Sequence, residues 1–358
     1  MKTLPLRLLF GFGALVSTAR LAGAAEVLTN ANLDPNQLRF GSVNIYSEND
    51  KYFSGTDQYY TNGAKISFLS TDLNSFTADP VPQPVQKLAR TLGGLVPPGH
   101  DVKLGLAIGQ NLYTPPNIHT TAPQPLDRPY AAWLYGSVAF EVYQPPRFFA
   151  NGERAIDRLD TLEVTFGMVG PGALGKQAQN NVHHLIGVLP ADGWPTQIHN
   201  EPGMNFAFER KYRFSTTDSR HGWGADFIPH AGFSLGNIFT FANAGFEIRG
   251  GWHLPADFGT NLIRPSGDSN SEVRPPFSVF LFGEVDGRAV ARDITLDGNS
   301  FRSSARVTKN PLVGDMLAGF AIGTRHWQVN YTQAVRSREF TLQKKADNFG
   351  SISMTFYY

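Results

Sequence analysis

GSISMTFYY, residues 350–358, alternates without a break up to Tyr357. Ile352, Met354, Phe356 and Tyr358 fall on one side, and Ser351, Ser353 and Thr355 on the other. A period of two is the mark of a β-strand with one apolar and one polar face. The alternation recurs upstream. Leu162, Val164, Phe166 and Met168 oppose Thr161, Glu163 and Thr165, and Trp327, Val329 and Tyr331 oppose Gln328, Asn330 and Thr332. Strands are expected at 39–47, 60–71, 101–112, 130–143, 158–169, 203–215, 224–235, 242–252, 276–288, 312–324, 326–338 and 350–358.

In a soluble sandwich the apolar faces would meet another sheet. In an outer-membrane barrel they meet lipid, and the polar faces line the lumen. These segments run to about nine to fourteen residues, as tilted membrane strands require. Sandwich strands average about five or six. The even strand count suits a bacterial barrel, and the aromatic final residue resembles the last strand of such proteins. The expected fold is therefore all-β, an antiparallel transmembrane barrel of about twelve strands. Residues 1–24 read as an export signal: Lys2 and Arg7, a short apolar core, then Ala22-Gly23-Ala24. Residues 25–358 would form the barrel domain.

Composition narrows the chemistry. There is no cysteine, which removes thiol catalysis and zinc-thiolate sites. The net charge of +1 argues against a nucleic-acid partner. Two connections are long, one opening at Asp79-Pro80-Val81-Pro82-Gln83-Pro84 with low expected order, the other spanning 254–274. With both termini periplasmic, these two would lie on the periplasmic side, where turns are usually short. The connections after strands one, three and five would then face outside.

The third of those outer connections breaks the strand pattern. In GPGALGKQAQNNVHHLIG, residues 170–187, Ala178 and Val182 begin a helical stripe that Leu185 and Leu189 continue. Gln179 and His183 are four apart and share a face. His183 suits a general base, with an ordinary surface histidine the equal alternative. His184 points elsewhere and reads as the latter. The first connection, SENDKYFSGTDQYYTNG (47–63), offers Glu48, Asp50 and Asp57 as oxygen ligands for a hard cation. It lacks EF-hand spacing, so a solvated loop is favoured on spacing alone, and Asn62-Gly63 reads as a turn. Around the second connection, Tyr130, Trp133 and Tyr135 suit an interfacial aromatic belt. Asp127-Arg128 reads as a rim ion pair ahead of a phosphate or carboxylate clamp. Gln197 and Glu201 would support the site, unless Pro195 and Pro202 simply stiffen a lid. The Gly-x-Ser-x-Gly stretch at 232–236 falls where one expected strand leads to the next strand rather than to a helix, so it is no nucleophile elbow, which leaves water activated by histidine as the simplest hydrolytic scheme.

Taken together, Glu48-Asn49-Asp50, Tyr60-Thr61-Asn62-Gly63, Gln110 with Tyr113-Thr114-Pro115, Asp127-Arg128, and Gly170-Pro171 through Gln179-Asn180-x-x-His183-x-x-Ile186-Gly187 resemble the outer-membrane lipid A 3′-O-deacylase family. The match extends over nearly the whole mature chain. The Gly-Pro…Gln-Asn-x-x-His-x-x-Ile-Gly run is its most specific part.

The resemblance implies a twelve-stranded barrel. Its site would lie between the outer barrel wall and a short helix of an extracellular loop. It implies Ca²⁺-dependent hydrolysis of the 3′-linked acyloxyacyl ester of lipid A, with His183 as the base for water. Asn49, Asp50, Thr61 and Gln179 match the family's other site positions, with Asp50 the candidate cation ligand. Some members carry a basic residue near Thr120 and an acid after the Ile-Gly pair, where Val188 and Leu189 stand here. Arg128 with Tyr113 is expected to contact substrate instead, and Glu201 to join Asp50 at the metal. The expected partner is lipid A or lipopolysaccharide in the outer leaflet; no protein partner is indicated. The rival readings are an outer-membrane phospholipase, a passive porin or structural barrel, and a secreted β-sandwich binder.

Overall fold

The computed structural model describes residues 37–52, 59–95, 101–145, 156–215, 222–259, 262–263 and 274–358. The expected export signal lies outside these residues, as does Asp57. Among the described residues, twelve strands close into an antiparallel barrel in which each strand pairs with its sequence neighbours and the last pairs with the first. They are β1 (Phe40–Asn49), β2 (Tyr59–Ser70), β3 (Asp101–Thr114), β4 (Ala131–Gln144), β5 (Asp157–Val169), β6 (Glu201–Ser215), β7 (Trp223–Gly236), β8 (Phe239–Trp252), β9 (Phe277–Asp293), β10 (Leu312–Thr324), β11 (Trp327–Arg336) and β12 (Asp347–Tyr357). Three helices interrupt them: α1 (Gln83–Leu92), α2 (Gly175–Ile186) and the single turn α3 (Ile294–Asp297).

The alternation of the strands decides which face is which. Outward positions carry exposed Ile66, Ile108, Phe166, Met204, Leu281 and Met316. The intervening positions turn Lys65, Glu163, Glu209, Asp286 and Asp315 inward, where they are buried. That is the inverse of a soluble core and the pattern of a wall between lipid and a polar lumen. Closure also pairs every strand edge, so no edge is left in hydrocarbon.

Both long periplasmic connections have a use. The first is not a region of low order. Its prolines start α1, with proline at the first helical turn where a missing N–H costs nothing. Leu73, Phe76, Val81 and Ala89 of this connection are buried with Leu104, Phe140, Val142 and Leu162 of β3, β4 and β5. Leu162 shares parity with exposed Phe166, so α1 covers the outside of the barrel at its periplasmic end. The second connection goes inward. Leu254 packs with Phe280 and Phe282, Phe258 with Tyr143 and Leu159, and Leu262 and Ile263 with Tyr46 and Tyr60. It is a plug that climbs the lumen from its periplasmic mouth. The Arg249 guanidinium, fully buried, binds both Asp226 of the wall and Asp257 of the plug. A cavity of about 100 Å³, lined in part by Glu48, Tyr113, Trp133, Arg336 and Glu339, remains towards the outer end.

Candidate active site

The register lines up one row on the outer face of the wall. Asn49 pairs with Asn62, Asn62 with Leu112, and Leu112 with Ala132. With strands about 4.8 Å apart, the row joins β1 to β4. Between Tyr60 and Asn62 the β2–β3 register slips by one residue. The extra residue is Thr61, a bulge position, and bulges re-aim side chains at rims. Its hydroxyl meets that of Thr114 at 2.6 Å. The Asp50 N–H donates to the Thr61 carbonyl at 3.4 Å, and the Asp50 side chain is fully buried. The Asn49 side-chain oxygen accepts from the Lys51 N–H at 2.7 Å. Asn49, Asp50 and Thr61 are thus gathered at one corner, all from the outer rim of β1 and β2.

Helix α2 lies over β3 and β4 on the same outer face. Its buried residues are Gly175, Gln179 and His183, one stripe four residues apart. Gly175 makes the seat: a Cβ there would lie 2.5 Å from the Trp194 ring and 2.6 Å from the Ala132 methyl. Side-chain hydrogen bonds fasten the loop around the helix. Gln110 on the outer wall donates to the Ala173 carbonyl at 2.6 Å. Trp194 Nε1 donates to the Gln179 side-chain oxygen at 2.8 Å. The Ala191 N–H donates to the Asn180 side-chain oxygen at 2.8 Å. Trp194, fully buried against Tyr130, is a structural centre of this loop that pattern reading missed. Its prior signal was a Gly-Trp pair, which also occurs at 222–223 and 251–252.

His183 is buried with its Nδ1 2.7 Å from the Leu189 carbonyl oxygen. A carbonyl only accepts, so the proton sits on Nδ1 and the lone pair on Nε2. His184 is exposed, as expected. The apolar stripe of the helix does not face the barrel. Val182, Leu185 and Leu189 are exposed, on the edge away from Asn180 and its loop contacts. In a membrane protein that edge meets the outer leaflet, so an apolar stripe marks lipid as readily as core.

Several expectations are corrected here. Tyr113 and Arg128 do not face the outer groove. Leu112 and Thr114 belong to the outward row, so Tyr113 points into the barrel mouth, and the Arg128 guanidinium stacks on its ring at 4.9 Å. Arg128 is fully buried and donates to Glu339 at 2.8 Å and to Thr295 at 3.3 Å. It is committed to an internal ion pair and offers no clamp for substrate outside. Its sequence neighbour Asp127 instead caps the Arg128 backbone N–H at 2.8 Å. Glu201 also lies apart from Asp50. Its carboxylate takes donors from Asn237 at 3.0 Å, Asn299 at 3.2 Å and the Ser300 N–H at 2.8 Å, which pins the loop after β9 to the rim. Trp133 and Tyr135 stack inside the lumen and Tyr130 lies under Trp194, so none of the three joins an aromatic belt. Asn62-Gly63 is no turn but lies inside β2.

Among the described residues no group of three or more His, Asp or Glu is placed to hold a metal. Oxygen-bearing side chains are nonetheless found here: the buried Asp50 carboxylate and the Asn49 amide oxygen, neighbours in the chain, and the bonded Thr61 and Thr114 hydroxyls. That set fits a hard cation that draws further ligands from water or substrate.

A family model described as outer membrane protein LpxR matches residues 9–358. Among solved structures, LpxR from Salmonella typhimurium is similar with a TM-score of 0.68 and 18% identity, over 88% of this chain and 100% of that one. The β domain of the Bordetella autotransporter BrkA has a TM-score of 0.43 and 9% identity, over 89% of this chain and 99% of its own. The translocator domain of the autotransporter NalP from Neisseria meningitidis has a TM-score of 0.35 and 8% identity, over 97% and 96%. No curated protein sequence matches the chain.

Proposed function

Because the chain belongs to the LpxR family of outer membrane proteins, we propose that it is a lipid A 3′-O-deacylase working at the outer leaflet. The reaction is hydrolysis of the 3′-linked acyloxyacyl ester. Residues 1–24 act as the export signal in this reading, and residues 25–358 form the working barrel. The observation that carries it is the histidine on the wall-facing stripe of α2, buried against the barrel with its Nδ1 fixed on the Leu189 carbonyl.

His183 Nε2 takes a proton from water as the oxygen attacks the ester carbonyl. Collapse of the tetrahedral intermediate breaks the bond between the carbonyl carbon and the 3′ oxygen, and His183 returns the proton to that oxygen. The products are a free acyloxyacyl acid and a 3′ hydroxyl. Asn49 donates to the developing oxyanion, and Thr61 and Gln179 orient the groups around it. Ca²⁺ bound at Asp50 would add Lewis-acid stabilisation of the same oxyanion. The Leu189 carbonyl keeps the imidazole in the working tautomer, the role that a third group plays in nucleophile–base pairs. The outward edge of α2 and the lipid-facing wall leave the ester, not the sugar alone, within the apolar layer.

The test is mass spectrometry of lipid A from cells expressing the protein, beside His183→Ala, and assay of purified enzyme with and without chelator. Loss of the 3′ acyloxyacyl mass is expected, reduced by about 10²–10⁴-fold in the variant and abolished by chelation. Unchanged lipid A with released glycerophospholipid acyl chains would move the activity to a phospholipase.

A further inference from the structure

The inner face of the rim mirrors the outer one. Glu48 points into the lumen, while Asn49, next in the chain, points out. Tyr60 points in, while Thr61 bulges out. The two inward residues are bonded to each other: the Tyr60 hydroxyl donates to Glu48 Oε2 at 2.6 Å. The other carboxylate oxygen, Oε1, accepts the backbone N–H of Ile263 at 2.7 Å. Ile263 belongs to the plug. One carboxylate therefore ties together β1, β2 and a segment that enters from the opposite end of the barrel. Tyr60 is held further by Phe349, edge-on at 5.0 Å, and by its own N–H on Asp347 at 3.1 Å.

Gly63 supplies an independent observation. It is not among the positive-φ glycines, so its backbone does not need glycine. Space does. A Cβ at 63 would lie 2.1 Å from the Tyr60 hydroxyl and 3.1 Å from the Ile263 Cδ1. Only glycine admits the hydroxyl and the plug together, which accounts for a glycine where the backbone asks for none.

We infer that Glu48 and Tyr60 are positioning residues through which the plug holds the β1–β2 rim that presents Asn49, Asp50 and Thr61. Its catalytic consequence rests on the deacylase reading; the lock itself does not. On their far sides the two strand ends are held by β12, where Asn49 pairs with Gly350, and by β3, where Tyr59 pairs with Thr114; the seam between β1 and β2 is thinner. The last rung is the 3.4 Å bond from Asp50 to Thr61, next to a bulge. Loss of the inward lock loosens the seam between the two strand ends and lets the outward side chains shift relative to one another, and displacement of order 1 Å at a reacting centre costs about 10²-fold in rate.

The experiment uses full-length protein refolded in detergent, with Tyr60→Phe, Gly63→Ala and their combination. Folding is checked by the heat-modifiable gel shift of the barrel. Hydrogen exchange by mass spectrometry is followed in peptides spanning 45–52 and 59–66, and kcat and KM are measured on lipid A. Tenfold or faster exchange in those peptides is expected, with kcat down tenfold or more and KM unchanged. Gly63→Ala adds little once the Tyr60 hydroxyl is gone. Unchanged exchange in Tyr60→Phe overturns the lock, and raised exchange with unchanged kcat overturns its positioning role. If Gly63→Ala does not fold, Tyr60→Phe, which removes a single oxygen, decides. A wild type inactive on lipid A sinks the deacylase reading, and the exchange data then decide the lock alone.

Discussion

Arg128 shows what a rim charge becomes when it is buried. Its guanidinium is enclosed by Tyr113, Glu339 and Thr295, with Asp293 at 4.0 Å. Burial alone would push the Glu339 carboxyl up. Arg128, Arg336 and Arg288 outweigh it and hold the carboxyl below its ordinary 4.5. A depressed folded value stabilises the native state above that ordinary value, and the contribution is lost as pH falls through the folded value. Melting of the detergent-solubilised protein should therefore be flat in this respect from neutral pH down to about 5 and decline below about 4. Glu339→Gln strips the compensation from a buried cation, at a cost on the order of 3 kcal/mol at neutral pH, and removes this share of the acid sensitivity. The same acid slope in wild type and variant would show that the pair does not govern it.

Helix α2 is the element on which the site depends, and its seating is a matter of one missing methyl. Glycine inside a helix costs roughly 0.5–1 kcal/mol relative to alanine, so substituting Gly175 should strengthen the isolated helix. The packing argues the other way. A side chain at 175 meets both Trp194 and Ala132 below 3.0 Å, and one of them must move. Gly175→Val should leave barrel melting within about 1 kcal/mol, because the wall does not depend on the loop. Turnover of lipid A should fall at least tenfold, because His183 is carried off the wall. Equal turnover in wild type and variant, with both folded, would mean that the helix seat is irrelevant to the chemistry. The strands themselves were legible at this scale. Alternation in Leu162–Met168 or Ile352–Tyr358 survives into the structure with boundaries off by a few residues. What alternation cannot say is which apolar surface meets protein and which meets lipid. That is why the stripe at Val182 and Leu185 marked α2 as a helix without marking its seat, whereas the Gln179–His183 spacing, a polar stripe, marked the face that meets the wall. Arg128 was misplaced for another reason. Its partner Glu339 lies 211 residues away, a pairing that only the closed barrel creates.

At the scale of the whole molecule the barrel separates two media and closes its own bore. An eight-stranded barrel is just filled by its side chains, while porins of sixteen or more strands leave an aqueous channel. Twelve strands fall between, so whether the lumen conducts is decided by what fills it. Here Leu254, Phe258, Leu262 and Ile263 are all buried within it. The Arg249 pairs with Asp226 and Asp257 bridge plug and wall. Withdrawing the plug would take Asp257 from Arg249, leaving it Asp226 and Glu247 of the wall, and would expose those apolar side chains to water, so opening is opposed on both counts. The protein reconstituted in planar bilayers should accordingly show no discrete conductance steps. A variant with residues 255–273 replaced by a short Gly-Ser linker should conduct. Steady channels from the intact protein would restore the porin reading and remove the reason for a plug. Silence from both would mean that the remaining charged side chains already fill the bore, and that the plug serves the rim above it more than the closure.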